Sequence, residues 1–159
     1  SLDELLDNDI KPFKSMIDNQ LAAIMPAHVI YDAVDGRPAG YSSYWVGEIL
    51  RRRLGFQGVV FSDDLSMEAA CVAGGFGERA QAALQAGCDM ALVCNHLEGA
   101  IAAADYIKGY SSPASQLRLV RMHGSGKIDW DVLRRNEEWR RQSVEVEALV
   151  DSPELEMDI

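Results

Sequence analysis

Two runs constrain the fold of this chain more than any others: Gly58-Val59-Val60-Phe61-Ser62 and Asp89-Met90-Ala91-Leu92-Val93-Cys94. Each is apolar at consecutive positions, so each calls for burial on both faces. A strand with one wet face alternates apolar and polar residues, whereas a strand covered on both sides belongs to a parallel sheet flanked by helices. Between the two runs lies an alanine-rich segment, residues 76–86, stopped by Gly87. Strand, helix, strand in that order is a crossover between parallel neighbours.

The remaining chain extends the alternation. Leu5, Leu6, Ile10, Phe13 and Ile17 recur at helical spacing over residues 3–18, with Pro12 ending a first helix or starting a second. Residues 21–27 form a short apolar run of strand length, with Pro26 near its end. Residues 31–42 carry the Gly, Pro and Asp signals of a loop. Ser43 reads as the N-cap of a helix whose stripe is Val46, Ile49, Leu50 and Leu54, with Gly55 as its C′ residue. Arg51, Arg52 and Arg53 read as a solvated helix end that complements the dipole. Helices are predicted near 65–72 and over 97–108, and residues 109–126 read as irregular. Asp129 reads as the cap of a last helix over about 130–149, with Trp130, Leu133 and Trp139 as packing candidates. The fold class is α/β, parallel strands alternating with helices. At 159 residues the chain is too short for a complete (β/α)₈ barrel, which takes about 250.

Composition narrows the function. With 15 Lys and Arg against 25 Asp and Glu the net charge is −10, which argues against non-specific nucleic-acid binding. No stretch approaches the roughly 20 apolar residues of a membrane span. The start, Ser1-Leu2-Asp3-Glu4, has neither an initiator methionine nor a signal-peptide pattern, and the chain reads as a piece of something longer. Cys71, Cys88 and Cys94 form no CxxC, so no disulfide framework, zinc site or other metal or cofactor site is expected, and a reducing cytoplasm fits. Residues 144–159 are acidic, with no Lys or Arg, and read as a flexible tail behind a folded domain of residues 1–143.

In parallel α/β folds, sites lie beyond the carboxyl ends of the strands. That selects Met25-Pro26-Ala27-His28, Ser62-Asp63-Asp64 and Asn95-His96. Adjacent residues of an extended chain point to opposite sides. At most one of Asp63 and Asp64 therefore faces a site, and the other is available to cap the next turn, on spacing alone the commoner role. His28, His96 and His123 read as loop hydrogen-bonding residues, without the convergent ligand set that a metal needs. Met25 and Met67 are candidates for a pocket wall or for core filling. Gly74-Gly75 has no following GK[ST], and Gly36 to Gly40 lacks GxGxxG, so neither is a phosphate loop.

Four ordered motifs carry a resemblance: Ile24-Met25-Pro26-Ala27-His28-Val29-Ile30-Tyr31, Arg37-Pro38-Ala39-Gly40-Tyr41-Ser42, Gly55 through Met67, and Ala86-Gly87-Cys88-Asp89-Met90. Together they resemble the bacterial β-N-acetylglucosaminidases of glycoside hydrolase family 3, of the muropeptide-recycling type. The resemblance runs from about residue 9 to 96 and more weakly to about 150. It implies the C-terminal part of a (β/α)₈ barrel and a retaining mechanism through a covalent glycosyl-enzyme. Asp63 matches the family's nucleophile, in a motif of Ser or Thr, Asp, a variable residue and Leu; Asp64 occupies the variable position. The family's acid/base histidine and its aspartate partner stand in Lys-His-Phe-Pro-Gly followed by Asp-Ser-His, which this sequence does not contain. The resemblance thus implies a carbohydrate substrate, with Met25, His28 and Met67 as candidate contacts, and an N-terminal half of the barrel as partner. The alternatives are a non-catalytic half-barrel that needs a partner half, and another family 3 specificity such as β-glucosidase or β-xylosidase.

Overall fold

The computed structural model describes residues 1–124, 126 and 128–150. Contacts divide the chain into two units, Ser1–His123 and Gly124–Ile159. The first unit opens with α1 (Leu2–Asp7) and α2 (Lys11–Asp18). Pro12 lies in the first turn of α2, where its missing N–H costs no hydrogen bond. The predicted strand over 21–27 shrinks to β1 (Ala23–Ile24). Within residues 31–42, expected to be a loop, the chain forms an antiparallel hairpin, β2 (Ile30–Tyr31) with β3 (Asp35–Pro38). Its turn is closed by the Val34 amide donating to the Tyr31 carbonyl at 2.7 Å.

Ser43 is the N-cap residue of the following helix, as expected, but the capping hydrogen bond is made by the side chain of Ser42. The Ser42 hydroxyl accepts from the Trp45 amide at 3.1 Å and donates to the Asp35 carboxylate. Residues Tyr44–Arg53 are wound as a π-helix, whose width shows where the Leu54 amide donates to the Ile49 carbonyl five residues back. Its buried face is Trp45, Val46, Ile49 and Leu50. Gly55 follows at φ +75°, a C′ conformation that a side chain would strain.

β4 (Val59–Asp64) is the central strand of a parallel sheet in the order β1-β4-β5, where β5 is Met90–Leu92. Ala23 and Ile24 pair with Val59 and Val60, and Phe61 and Asp64 pair with Met90 and Leu92 across a register shift. The crossover from β4 to β5 runs through a 3₁₀ segment, Glu68–Ala73, where a helix was predicted nearby, and then α3 (Phe76–Ala86), found where predicted. α3 stops at Gly87, at φ +112°, where a Cβ would stand 3.1 Å from Val46 Cγ1. The core beneath is Val46, Leu50, Phe56, Val60, Leu65, Ala80 and Ala83. Full burial of each larger aliphatic side chain there is worth about 2 kcal/mol. α4 (Leu97–Tyr106) packs against α3, and α5 (Pro113–Leu119) occupies part of the stretch expected to be irregular. α5 starts where the Ser112 hydroxyl accepts from the Ser115 amide, with Pro113 as first helical residue, a helix-start signal carried by two neighbouring residues. Among the described residues no strand pairs with the outer edge of β1 or of β5.

The N-terminal ends of the strands are tied by Asp89, just before β5. Its carboxylate accepts from the Val60 amide at 2.8 Å, from the Ser115 hydroxyl at 2.7 Å, from Arg51 at 2.7 Å and from Arg118 at 2.8 Å. Arg51 also donates to the Phe56 and Gly58 carbonyls. Arg51 is therefore not part of a solvated helix end; Arg52, paired with Glu48, is. Burial pushes the Asp89 carboxyl up, but the hydrogen bonds from Val60, Ser115 and Arg118 and the charge of Arg51 outweigh it and hold the acid below its ordinary value.

In the second unit, two helices stand where one was predicted: α6 (Trp130–Arg135) and α7 (Glu137–Val150). Asp129 caps α6 as expected, accepting from the Asp131 and Val132 amides, and the Asn136 side chain accepts from the Trp139 amide to start α7. Trp130 and Trp139 meet edge to face at 5.8 Å. α7 carries residues 144–150 of the expected tail as helix; residues 151–159 lie outside the described residues.

Candidate active site

The C-terminal end of β4 brings Asp63 and Asp64 between the ends of β1 and β5. Both are half-buried, and their surroundings differ. Asp64 Oδ1 accepts from the Ser66 amide and from the Cys94 amide, each at 2.9 Å, and Oδ2 accepts from the Ser66 hydroxyl at 2.6 Å. Burial raises the Asp64 carboxyl, yet the donors of Cys94 and Ser66 win and its proton affinity falls. Asp64 thus closes the turn after β4 and stitches it to the chain leaving β5. Asp63 accepts one hydrogen bond among the described residues, from the Asp64 amide to Oδ1 at 2.8 Å. Its Oδ2 has no hydrogen-bond donor among the described residues.

The loop after β4 is shaped by a residue that the sequence did not single out. Arg79, on α3, donates to the Leu65 carbonyl and to the Gly74 carbonyl, each at 2.7 Å, with its guanidinium over the Phe76 ring. A lone arginine in an alanine-rich helix was the available signal. Met67 stands on this loop and is 44% exposed; Met25, just past β1, is 49% exposed.

His28 lies behind the strand end instead of on its rim. It is 9% exposed, and its Nε2 stands 3.2 Å from the Asp64 carbonyl. The ring leans on Tyr41 at 5.1 Å, whose hydroxyl, pushed up to about 12 by burial, donates to the Ala70 carbonyl. His96 is a helix cap: its Nδ1 accepts from the Gly99 amide at 2.9 Å and its ring packs on Phe76. His123 is exposed at the end of the first unit. The strand ends therefore gather Asp63, Asp64 and His28, while His96 and His123 serve elsewhere.

An apolar groove of about 270 Å³ lies between α1, α2, the hairpin and the π-helix. Met25 lines it with Leu5, Phe13, Ile24, Tyr31 and Trp45, but Asp63, His28 and Met67 do not. Among the described residues no three His, Cys, Asp or Glu side chains are grouped to hold a metal ion.

Comparison with known proteins supplies the context for this geometry. The profile of the glycosyl hydrolase family 3 N-terminal domain matches residues 1–120. A beta-hexosaminidase of Thioalkalivibrio sulfidiphilus is 50% identical over 154 residues, which cover 97% of this chain and 44% of that protein. A second, from Thiobacillus denitrificans, is 54% identical over 127 residues, 78% of this chain and 34% of that one. The crystal structure of NagZ from Neisseria gonorrhoeae in complex with N-trifluoroacetyl-D-glucosamine superposes with a TM-score of 0.73 at 38% identity, over 94% of this chain and 42% of that one. The chain thus spans less than half the length of these relatives. Its parallel strands and alternating helices have the fold of part of a (β/α)₈ barrel.

Proposed function

Because the chain belongs to glycosyl hydrolase family 3, we propose that it is the C-terminal, nucleophile-bearing part of a retaining exo-β-N-acetylglucosaminidase. Residues 1–143 supply the last strands of the barrel, and an upstream segment supplies the acid/base dyad. The observation that carries this reading is the unequal treatment of two adjacent acids: Asp64 is consumed by Ser66 and Cys94, whereas Asp63 keeps an oxygen without a donor among the described residues. In the reaction, the Asp63 carboxylate attacks the anomeric carbon and the glycosidic oxygen leaves with a proton from the upstream acid. Water, deprotonated by the same group, then cleaves the glycosyl ester. A short side chain at the end of a central strand has few rotamers, which suits a nucleophile aimed at one carbon. We assign Met67, half-exposed just past the end of β4, and Met25, past the end of β1 on the apolar groove, to the bounds of the sugar site.

The gonococcal NagZ relative is in complex with N-trifluoroacetyl-D-glucosamine, an N-acylated amino sugar, which favours the hexosaminidase over a β-glucosidase or β-xylosidase. The motif resemblance extends the substrate to peptidoglycan-derived muropeptides, processed in a reducing cytoplasm, with which the unpaired Cys71, Cys88 and Cys94 agree.

The test joins this chain to the upstream segment of the Thioalkalivibrio relative and incubates it with a fluorinated N-acetylglucosaminyl inactivator. Mass spectrometry is expected to find one sugar on the peptide that contains Asp63 and none after Asp63→Asn. A label on another peptide, or an Asp63→Asn enzyme near the parent rate on an aryl β-N-acetylglucosaminide, refutes the assignment.

A further inference from the structure

Resting on the reading of Asp63 as the nucleophile, we propose that His28 is a positioning residue which aims that acid through the main chain of Asp64. A carbonyl only accepts, so at 3.2 Å the His28 Nε2–H donates to the Asp64 carbonyl. The same residue's amide donates to Asp63 Oδ1 at 2.8 Å. Asp64 is therefore held at its carbonyl by His28 across the strand ends and by the Met67 amide within its own turn, and at its carboxylate by Ser66 and Cys94, and it hands that position on to Asp63. The bond joins the loop after β1 to the end of β4, 36 residues apart in sequence.

His28 is not a filler of apolar space. Its Nδ1 is buried without a hydrogen-bond partner, so a cost is borne at one ring nitrogen while the other makes the ring's single hydrogen bond among the described residues. The ring packs against Tyr41 at 5.1 Å and lies beside Gly40, where a Cβ would stand 3.9 Å from Nδ1. Without His28 the Asp64 carbonyl would keep only the Met67 amide of its own turn, at 3.2 Å, and lose its tie to the loop after β1; a misplacement of about 1 Å at a reacting atom costs about 100-fold in rate.

The experiment compares His28→Gln with His28→Met in the joined protein described above. The two side chains are nearly equal in size, but only glutamine carries an N–H near the position of Nε2. Rates are taken per active site, counted by stoichiometric trapping with the fluorinated inactivator, so unfolded molecules do not enter. His28→Met is expected to lose about 30-fold in kcat with KM within about threefold, and His28→Gln to recover to within about fivefold of the parent. Should His28→Met be insoluble, His28→Asn, whose amide is too short to reach, takes its place with the same expectation. Equal rates for the donor and non-donor variants overturn the proposal. So does a rise in KM at unchanged kcat, which would make His28 a substrate contact. Asp63→Asn, measured alongside per folded molecule by circular dichroism because it carries no trap, separates the two readings: if it stays active, the nucleophile assignment falls; if it is inactive while His28→Met is normal, only the positioning role falls.

Discussion

The two ends of the sheet treat their acids in opposite ways. At the N-terminal end, the Asp89 side chain is 0% exposed and meets two arginines, a hydroxyl and an amide. At the C-terminal end, Asp63 is half-exposed and accepts a single amide. A carboxylate whose lone pairs are all used holds chain segments together and has nothing left for a ligand. A carboxylate with an idle oxygen on a rigid strand adds little to the fold and is available to react. Asp64, one residue away, shows that the distinction is drawn atom by atom, since three donors place it with Asp89 although it shares the strand end with Asp63.

The sharpest way to break this comparison is a pair of substitutions read on two scales. Asp63→Asn in the joined protein is expected to lower turnover on the order of 10⁴-fold or more with an unchanged thermal midpoint. Asp89→Ala is expected to cost about 3 kcal/mol in a denaturant titration, because it strands Arg51 and Arg118, while the rate per active site stays near the parent's. A stability loss in the first, or a rate loss in the second, would dissolve the contrast between the ends.

Acid sharpens it further. Asp89 and Asp64 are both held below their ordinary values in the fold, and when unfolded they titrate near about 3.9. Below that value the unfolded chain binds more protons than the folded one, so their contribution is complete above about pH 4 and drains away as pH falls through the folded values. Thermal midpoints are expected to be level from about pH 5 to 7 and to drop below about 4. The drop should be shallower in Asp89→Asn; an equal drop would remove Asp89 as its source. The smallest effect belongs to Asp64→Asn. Its amide oxygen can still accept from Cys94 and Ser66, so about 1 kcal/mol of stability is expected to be lost by thermal melting.

Local signals carried much of the fold. Consecutive apolar residues at 59–61, Gly55 after one helix and Gly87 after another, and Asp129 before α6 all marked elements that the structure contains. The misses have a common cause. The hairpin of β2 and β3 exists through pairing across a turn, so Asp35 and Gly36 have the look of loop residues until Tyr31 stands opposite. Arg51 is one of three arginines equivalent in sequence, and its packed partners single it out: Asp89, 38 residues on, and the Phe56 and Gly58 carbonyls.

What the sequence determined alone was a parallel α/β order with two acids at the end of the central strand, because strand burial and helix punctuation are written in neighbouring residues. Backbone alternation, which needs no tertiary contact, also set the expectation that Asp63 and Asp64 face different ways. Which of the two is occupied was decided by the fold. The donor from Cys94 reaches Asp64 only when β5 lies beside β4, and the His28 ring reaches the Asp64 carbonyl only when the loop after β1 packs under the same strand end. A hydrogen bond needs its atoms within about 3 Å, and for residues 30 and 36 positions apart only the packed chain brings them there.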